Sequence, residues 1–148
     1  MAYDILIKSG LVIDGINDAI TNADIGIKGD KIEYIKPETE SGAAADVVIE
    51  ANGKYVTPGF IDITNHSDTH LTLFHYPQLE SLIMQGVTSA IGGNCGGSMA
   101  PLASDKGLGA IKKWADPSET NIDWATMDEY LNTIDNLRPG VNFGSFIG

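Results

Sequence analysis

Gly59-Phe-Ile-Asp-Ile63 and Val87-Thr-Ser-Ala-Ile91 are the two stretches that decide the fold. Each is a short run rich in apolar residues, which is typical of a strand in a parallel sheet. Between them, Pro77 to Gln85 carries apolar residues at helical spacing, and Gly86 follows where a helix would end. A buried strand, a helix and a second strand in this order predict a parallel α/β domain, either doubly wound or a barrel.

A second helix and a third strand continue this pattern. Thr126 and Glu129 have the spacing of a capping box, an apolar stripe follows them, and Pro139-Gly140 marks the end of the helix. Val141-Asn-Phe-Gly-Ser-Phe-Ile147 is the next predicted strand, and a polar insertion from Ser104 to Ile122 precedes the helix. A (β/α)8 barrel needs eight strands and roughly 250 residues, whereas only about three strands are predicted here. We therefore expect a truncated domain.

The sequence before Pro58 has a different character, because it consists of short β-type runs bounded by turn residues. Gly29-Asp30 lies between two of these runs and predicts a tight hairpin, and Asn52-Gly53 predicts another tight turn. We expect this region to form a small antiparallel sheet. Its predicted strands are Asp4-Ile-Leu-Ile-Lys8, Leu11-Val-Ile13, Ala23-Asp-Ile-Gly-Ile-Lys28, Lys31-Ile-Glu-Tyr-Ile-Lys36 and Asp46-Val-Val-Ile-Glu50.

Charge and composition restrict the class of protein. Twenty acidic against nine basic side chains give the 148-residue chain a formal charge of −11, which opposes binding to nucleic acid or to an anionic membrane surface. No apolar run approaches the roughly 20 residues that cross a bilayer, and the first residues lack the pattern of a signal peptide. We therefore expect a cytoplasmic protein.

Functional side chains of a parallel barrel gather at the carboxyl ends of its strands. The first candidate loop follows Ile63 and contains His66 and Asp68. A neutral imidazole at this place can ligate a metal or act as a base, and Asp68 can orient it or bind substrate. The alternative is a solvated histidine in a polar loop.

The second candidate loop is Gly92-Gly-Asn-Cys95-Gly-Gly-Ser98, whose glycines allow a sharp turn that presents the single cysteine of the chain. Three hypotheses are open for it. Cys95 can ligate zinc, since a thiolate is a strong ligand for this metal; it can act as a nucleophile paired with His66; or the glycines can form a phosphate-binding nest. The nest lacks the lysine and the spacing of the common phosphate-binding loops.

Two further groups of residues have less specific patterns. His66, His70 and His75 could form a metal cluster of their own, since the first two would share a face if the segment were helical. Trp114 and Trp124, in and beside the polar insertion, are interpreted as packing anchors rather than as platforms for a substrate.

The motifs together resemble a known family. The opening of the chain and the strand after Pro58 resemble the amidohydrolase superfamily, and the cysteine loop is similar to that of the N-acyl-D-amino-acid deacylases, or D-aminoacylases. The motifs of the opening are Asp4-Ile-Leu-Ile-Lys-Ser-Gly-Leu-Val-Ile-Asp-Gly15, Ala23-Asp-Ile-Gly-Ile-Lys-Gly-Asp-Lys-Ile32 and Val56-Thr-Pro-Gly-Phe-Ile-Asp62, and those of the deacylases are Gln85-Gly-Val-Thr-Ser and Gly93-Asn-Cys-Gly-Gly-Ser-Met-Ala-Pro101.

The resemblance implies a two-part architecture and a zinc enzyme. Residues 1–55 are expected to be part of a composite β-sandwich, and residues 56–148 the first strands and helices of a metal-dependent (β/α)8 TIM-type barrel. In the family, the cysteine matching Cys95 ligates zinc with histidines from later strands, and an aspartate beyond Gly148 is the general acid/base. We expect His66 to be a further zinc ligand and Asp68 to bind substrate, and no catalytic residue is assigned in this chain.

One departure from the family motif bears on the metal site. The first strand of the family usually ends in a His-x-His pair, and Thr64 occupies the first of these positions here. A threonine hydroxyl is a poor zinc ligand compared with imidazole, so we expect the metal position served by that pair to be weak or empty. A single-zinc site around Cys95 would survive this change, and the sequence leaves one or two metal ions open.

The expected reaction is hydrolysis of the amide bond of an N-acyl amino acid, a small molecule, by the complete protein, with the present chain inactive alone. Zinc would polarise the acyl carbonyl and activate water. One alternative is a cyclic amidase of the hydantoinase or dihydroorotase type, although such enzymes keep both histidines. The other is a non-catalytic binding protein with the same fold. This alternative stays open because Thr64 replaces a metal-binding histidine.

Overall fold

The computed structural model describes residues 3–16, 19–37, 42–102, 107–109 and 111–147. The chain divides into two compact units, Met1–Pro58 and Gly59–Gly148. The beginning of the predicted polar insertion, including Ser104, lies outside the described residues. Within the described part of the chain, no helix is long and apolar enough to span a membrane.

The first unit is a five-stranded sheet in which β1 is central. Strands β2 and β3 extend one side of β1 as an antiparallel hairpin, whereas β4 and β5 both pair with β1 in parallel. The predicted hairpin at Gly29-Asp30 is confirmed. The prediction of a purely antiparallel sheet is wrong, because alternation of apolar residues carries no information on strand direction. The strands are β1 (Tyr3–Val12), β2 (Thr21–Lys28), β3 (Lys31–Pro37), β4 (Ala45–Glu50) and β5 (Tyr55–Val56).

Strand β1 joins two runs that were expected to be separate strands. Ser9 lies at the junction with a φ of 57°, and the register with β2 shifts between Ile7 and Gly10. The N–H of Ser9 donates to Oδ1 of the buried Asp24 at 2.8 Å. The Ser-Gly pair therefore forms a bulge within one strand rather than a turn between two.

The second unit is built on a three-stranded parallel sheet with the order β6-β7-β8. Short helices connect β6 to β7, and one longer helix precedes β8, so the predicted α/β fold is confirmed. Neighbouring strands that follow one another along the chain are also the arrangement in which a (β/α)8 barrel begins. The elements are β6 (Phe60–Asp62), α1 (Thr72–His75), α2 (Glu80–Ile83), β7 (Val87–Gly92), α3 (Met127–Leu137) and β8 (Asn142–Ser145).

Two expectations for this unit need correction. The helix predicted from Pro77 to Gln85 is a single turn, because Leu79 has a φ of 45° and cannot extend the helix backwards. Strand β6 is not buried: Phe60 and Ile61 are 58% and 64% exposed, since β6 is an edge strand of the three-stranded sheet.

Helix α3 packs onto the core of the second unit. Tyr130 and Ile134 project from it into a cluster of apolar side chains. Trp124 lies beside them, with its indole N–H donating to the Met99 carbonyl at 2.8 Å and its ring 5.3 Å from that of Phe74. The prediction that Trp124 is a packing anchor is confirmed.

The predicted capping box at the start of α3 is present. The hydroxyl of Thr126 accepts from the Glu129 N–H at 3.2 Å, and the Glu129 carboxylate accepts from the Thr126 N–H at 2.9 Å. We expect Thr126→Ala to lower the free energy of unfolding by about 1 kcal/mol, since an orphan donor of the first turn loses its partner. Urea denaturation of the variant measures this difference. Thr133→Ala is the control: it removes the same side-chain atoms from a position within the helix and should lower the free energy of unfolding by less.

The contribution of Glu129 is expected to depend on pH. Hydrogen bonds from the backbone N–H groups of Thr126 and Ala125, and from the Thr126 hydroxyl, lower the pKa of the Glu129 carboxyl. A carboxyl whose pKa is lowered by folding stabilises the protein above its unfolded pKa and loses this effect as the pH falls through the folded value. The stability difference between the native chain and Glu129→Gln should therefore shrink between about pH 6 and about pH 3. A difference that does not change with pH would contradict this expectation.

Candidate metal site

The loop after β6 is organised by its own polar side chains. Asp62 ends the strand, and its carboxylate accepts from the Thr64 N–H at 3.1 Å and from the Asn65 amide group at 2.8 Å. The Asn65 side-chain oxygen then accepts from the Ser67 N–H at 2.9 Å. This chain of hydrogen bonds fixes the turn that carries His66.

The loop after β7 turns back sharply at the same end of the sheet. Cys95 has a φ of 58°, in the left-handed region, which costs a residue with a Cβ atom about 1 kcal/mol or more. The Asn94 side chain donates to the Ile91 carbonyl at 2.7 Å and to the Asn65 carbonyl at 3.1 Å. Asn94 therefore ties this loop to the loop after β6.

The two loops bring Cys95 and His66 together. The sulfur of Cys95 lies 3.7 Å from Nε2 of His66, and Cys95 is exposed. Bonds of about 2.3 Å to sulfur and about 2.0 Å to nitrogen at a tetrahedral zinc ion place these two atoms about 3.5 Å apart. The pair therefore fits two positions of a zinc site. The same distance also suits a cysteine nucleophile beside a base.

The described residues add no further ligand that would complete such a site. The described residues contain no group of three or more histidines, cysteines and carboxylates that could hold a metal ion. His75 faces elsewhere, since its Nε2 lies 3.1 Å from the Thr120 hydroxyl. The hypothesis of a cluster of His66, His70 and His75 is therefore wrong.

Asp68, two residues after His66, has no exposed surface. One carboxylate oxygen accepts from the Gly93 N–H and the other from the Thr69 N–H, both at 2.7 Å. Burial raises the pKa of the Asp68 carboxyl, and these hydrogen bonds partly oppose the effect. With no exposed surface in this structure, the carboxylate has no direct access to a substrate. The Gly93 N–H already donates to Asp68, so it does not point at a phosphate. This argues against a phosphate-binding nest.

The backbone at Gly92 passes directly against this carboxylate. A Cβ atom at Gly92 would lie 2.5 Å from Oδ2 of Asp68 and 2.6 Å from the ring of Phe143. Only glycine fits at this position. The sequence indicated that the loop needed glycines for its turn, but it gave no signal of this close approach.

A cleft of about 500 Å³ opens beside the cysteine and the histidine. One wall is Trp114, which is 69% exposed and has its ring 5.7 Å from that of His70. The buried Ile111 holds the turn from which Trp114 projects, through a 2.8 Å hydrogen bond between the two backbones. The interpretation of Trp114 as a packing anchor is therefore wrong. The lining residues are His66, Thr69, His70, Asn94, Cys95, Gly96, Gly97, Ile111, Lys113 and Trp114.

Comparison with known proteins identifies the family. A sequence model of the amidohydrolase family matches residues 47–142. The chain is similar to the N-acyl-D-glutamate deacylase of Alcaligenes xylosoxydans xylosoxydans, with 35% identity over 98% of this chain and 28% of the relative. The D-aminoacylase of the same organism is 41% identical over 68% of this chain and 20% of the relative. The chain thus spans less than a third of the length of these relatives.

Solved structures give the same result. A D-aminoacylase studied for its binuclear metal centre superposes with a TM-score of 0.79 at 33% identity, covering 99% of this chain and 30% of that one. The N-acyl-D-glutamate deacylase from Bordetella bronchiseptica, complexed with zinc and a phosphonate inhibitor, gives a TM-score of 0.78 at 30% identity, covering 100% and 30%. With the family model covering most of the second unit, and with this fold and sequence similarity, the chain belongs to the amidohydrolase family.

Proposed function

We propose that the complete protein containing this chain is a zinc-dependent hydrolase that cleaves the amide bond of N-acyl-D-amino acids. The observation that carries the proposal is the 3.7 Å separation of the Cys95 sulfur and the His66 nitrogen at the ends of two adjacent parallel strands. Deacylases of N-acyl-D-glutamate and D-aminoacylases are among the relatives, and one of them is complexed with zinc.

Cys95 and His66 would hold the zinc ion together with ligands from parts of the protein outside this chain. Zinc bound there supplies Lewis-acid polarisation of an amide carbonyl. We propose a single ion, because Thr64 offers only a hydroxyl where the family motif has a histidine. The D-aminoacylase neighbour is described by one-metal activation and second-metal attenuation, which supports an active enzyme with one occupied position.

The cleft beside the pair would receive the substrate. Trp114 and His70 form an aromatic wall that covers an apolar group and excludes water from it. Lys113 lines the same cleft and places a positive charge on the surface of an acidic chain, where it can attract the carboxylate of an amino acid. The general acid/base is not assigned to any residue of this chain, so the chain alone is expected to be inactive.

The domain organisation is also part of the proposal. Residues 1–55 would be part of a small β-sandwich, and residues 56–148 the start of a (β/α)8 barrel. The parallel order β6-β7-β8 supports the second assignment. The expected cytoplasmic location remains a prediction from the sequence.

Replacing Cys95 is the direct test of the site. We expect Cys95→Ala in the complete protein to lower both zinc affinity and amide hydrolysis by more than about 100-fold, since loss of a ligand exceeds the roughly 10–100-fold effect of losing its outer partner. Bound zinc is measured by metal analysis, and turnover with N-acetyl-D- and N-acetyl-L-amino acids. Thr64→Ala should retain zinc. A Cys95→Ala variant with unchanged zinc and turnover would show that the assigned ligand is wrong.

The same assays separate the alternatives. A cysteine nucleophile would be indicated if activity survives removal of zinc by a chelator but is lost in Cys95→Ala. Turnover of cyclic rather than linear amides would indicate a cyclic amidase. A folded complete protein with neither zinc nor turnover would indicate a non-catalytic binding protein.

Trp114 is expected to act on substrate binding. Trp114→Ala should raise KM for N-acyl-D-amino acids roughly tenfold, equivalent to about 1.4 kcal/mol, with a smaller effect on kcat. Steady-state kinetics of the complete protein measures both constants. Tyr55→Ala removes a similarly exposed aromatic ring, 63% exposed, from the first unit and is the matched control. An unchanged KM in Trp114→Ala would remove this residue from the substrate site.

A further inference from the structure

We infer that Asp68 is a positioning residue that, together with the Asn94 bond between the same loops, sets the separation of Cys95 and His66, by holding the two loops through one carboxylate. The inference rests on the proposed function for the identity of the metal ion. The hydrogen bonds that carry it are independent of that proposal.

The argument begins with the place of Asp68 in the chain. It lies two residues after His66, so its backbone is part of the loop that presents the imidazole. Its Oδ2 accepts from the N–H of Gly93, which lies two residues before Cys95. The carboxylate therefore connects two points that are each two residues from a candidate ligand.

The other oxygen of the carboxylate closes the first loop on itself. Oδ1 accepts from the Thr69 N–H at 2.7 Å, which fixes the direction in which the carboxylate points. The loop is further held by the bond from the His70 N–H to the His66 carbonyl at 2.9 Å. The position of Gly93 relative to His66 is thus set by a rigid support rather than by a mobile side chain.

The second loop needs such a support because its geometry is unfavourable by itself. Cys95 has left-handed backbone angles, which a residue with a Cβ atom adopts only when its surroundings impose them. Gly92 allows the backbone to approach the carboxylate, since a side chain there would collide with Oδ2 of Asp68 at 2.5 Å. The close approach and the hydrogen bond together hold the turn that presents the sulfur.

A carboxylate suits this position better than an amide. It accepts hydrogen bonds at both oxygens, and both are used here by backbone donors. An asparagine of the same shape has one accepting oxygen, so its NH2 group would face one of the two N–H groups. Asp68 is also fully buried, so its replacement acts on the metal ligands rather than on contacts with the substrate.

The test uses Asp68→Asn in the complete protein. The zinc dissociation constant is measured by competition with a chelator, and Co²⁺ is then substituted so that the absorption band of a cobalt–thiolate bond reports on Cys95. We expect zinc affinity to fall about 10–100-fold and the band to weaken or shift, as for other residues that orient metal ligands.

Asp24→Asn is the matched control. Asp24 is also fully buried and accepts a backbone N–H, that of Ser9, but it lies in the first unit. It should leave zinc affinity and the cobalt band unchanged. Equal losses in both variants, or no loss in Asp68→Asn while the native protein binds zinc, would overturn the inference. Native protein that binds no zinc would instead overturn the proposed function, so the two failures are distinguishable.

A second measurement does not depend on a variant that folds. Hydrogen exchange of the Gly93 amide in the zinc-free native protein should be strongly slowed, because the donor is buried against the Asp68 carboxylate. Exchange at the rate of an unprotected glycine amide would show that the loop is not held before the metal binds, and would overturn the inference.

Discussion

The parallel pairing of β6 with β7 is the interaction on which the candidate site depends. Asp62, the last residue of β6, lies opposite Ala90 near the end of β7. Because both strands run in the same direction, the segments that leave them emerge at one edge of the sheet. His66 and Cys95 are 29 positions apart in the chain and meet there within a few residues of the strand ends. The pairing thus brings His66 and Cys95, which are far apart in the sequence, into contact.

The general plan of the chain could be predicted from the sequence because its signals are local. The hairpin at Gly29-Asp30, the capping box of Thr126 and the strand–helix–strand order all depend on residues close together in sequence. The direction of β4 was not predictable in this way, since the two faces of a strand alternate equally in parallel and antiparallel pairs. The bulge at Ser9 depends on Asp24, which lies 15 positions away.

The roles of the site residues were less predictable, because they depend on burial. Cys95 and His66 carry side chains that can ligate a metal, so they can be recognised as candidates from the sequence alone. Asp68 looks like an ordinary carboxylate of a polar loop, and only the fold shows that it lies inside the protein and accepts the Gly93 N–H. The interpretation of Trp114 as a packing anchor is wrong because large aromatic side chains are mostly buried, whereas this one forms the wall of a cleft.

The glycines around Cys95 are not equivalent, and this has a consequence for how the sequence can vary. A Cβ atom would lie 2.5 Å from its nearest neighbour at Gly92 and 2.3 Å at Gly93, whereas Gly96 has open space and is restricted only by its φ of 70°. Asparagine tolerates left-handed angles, so substitution to asparagine is open at Gly96 and closed at the two earlier positions. Evolutionary variation in this loop should therefore be one-sided. It is open at Gly96, after the cysteine, and closed before it: at Gly92 unless Asp68 and Phe143 change together, and at Gly93 because the backbone of Phe146 is in the way.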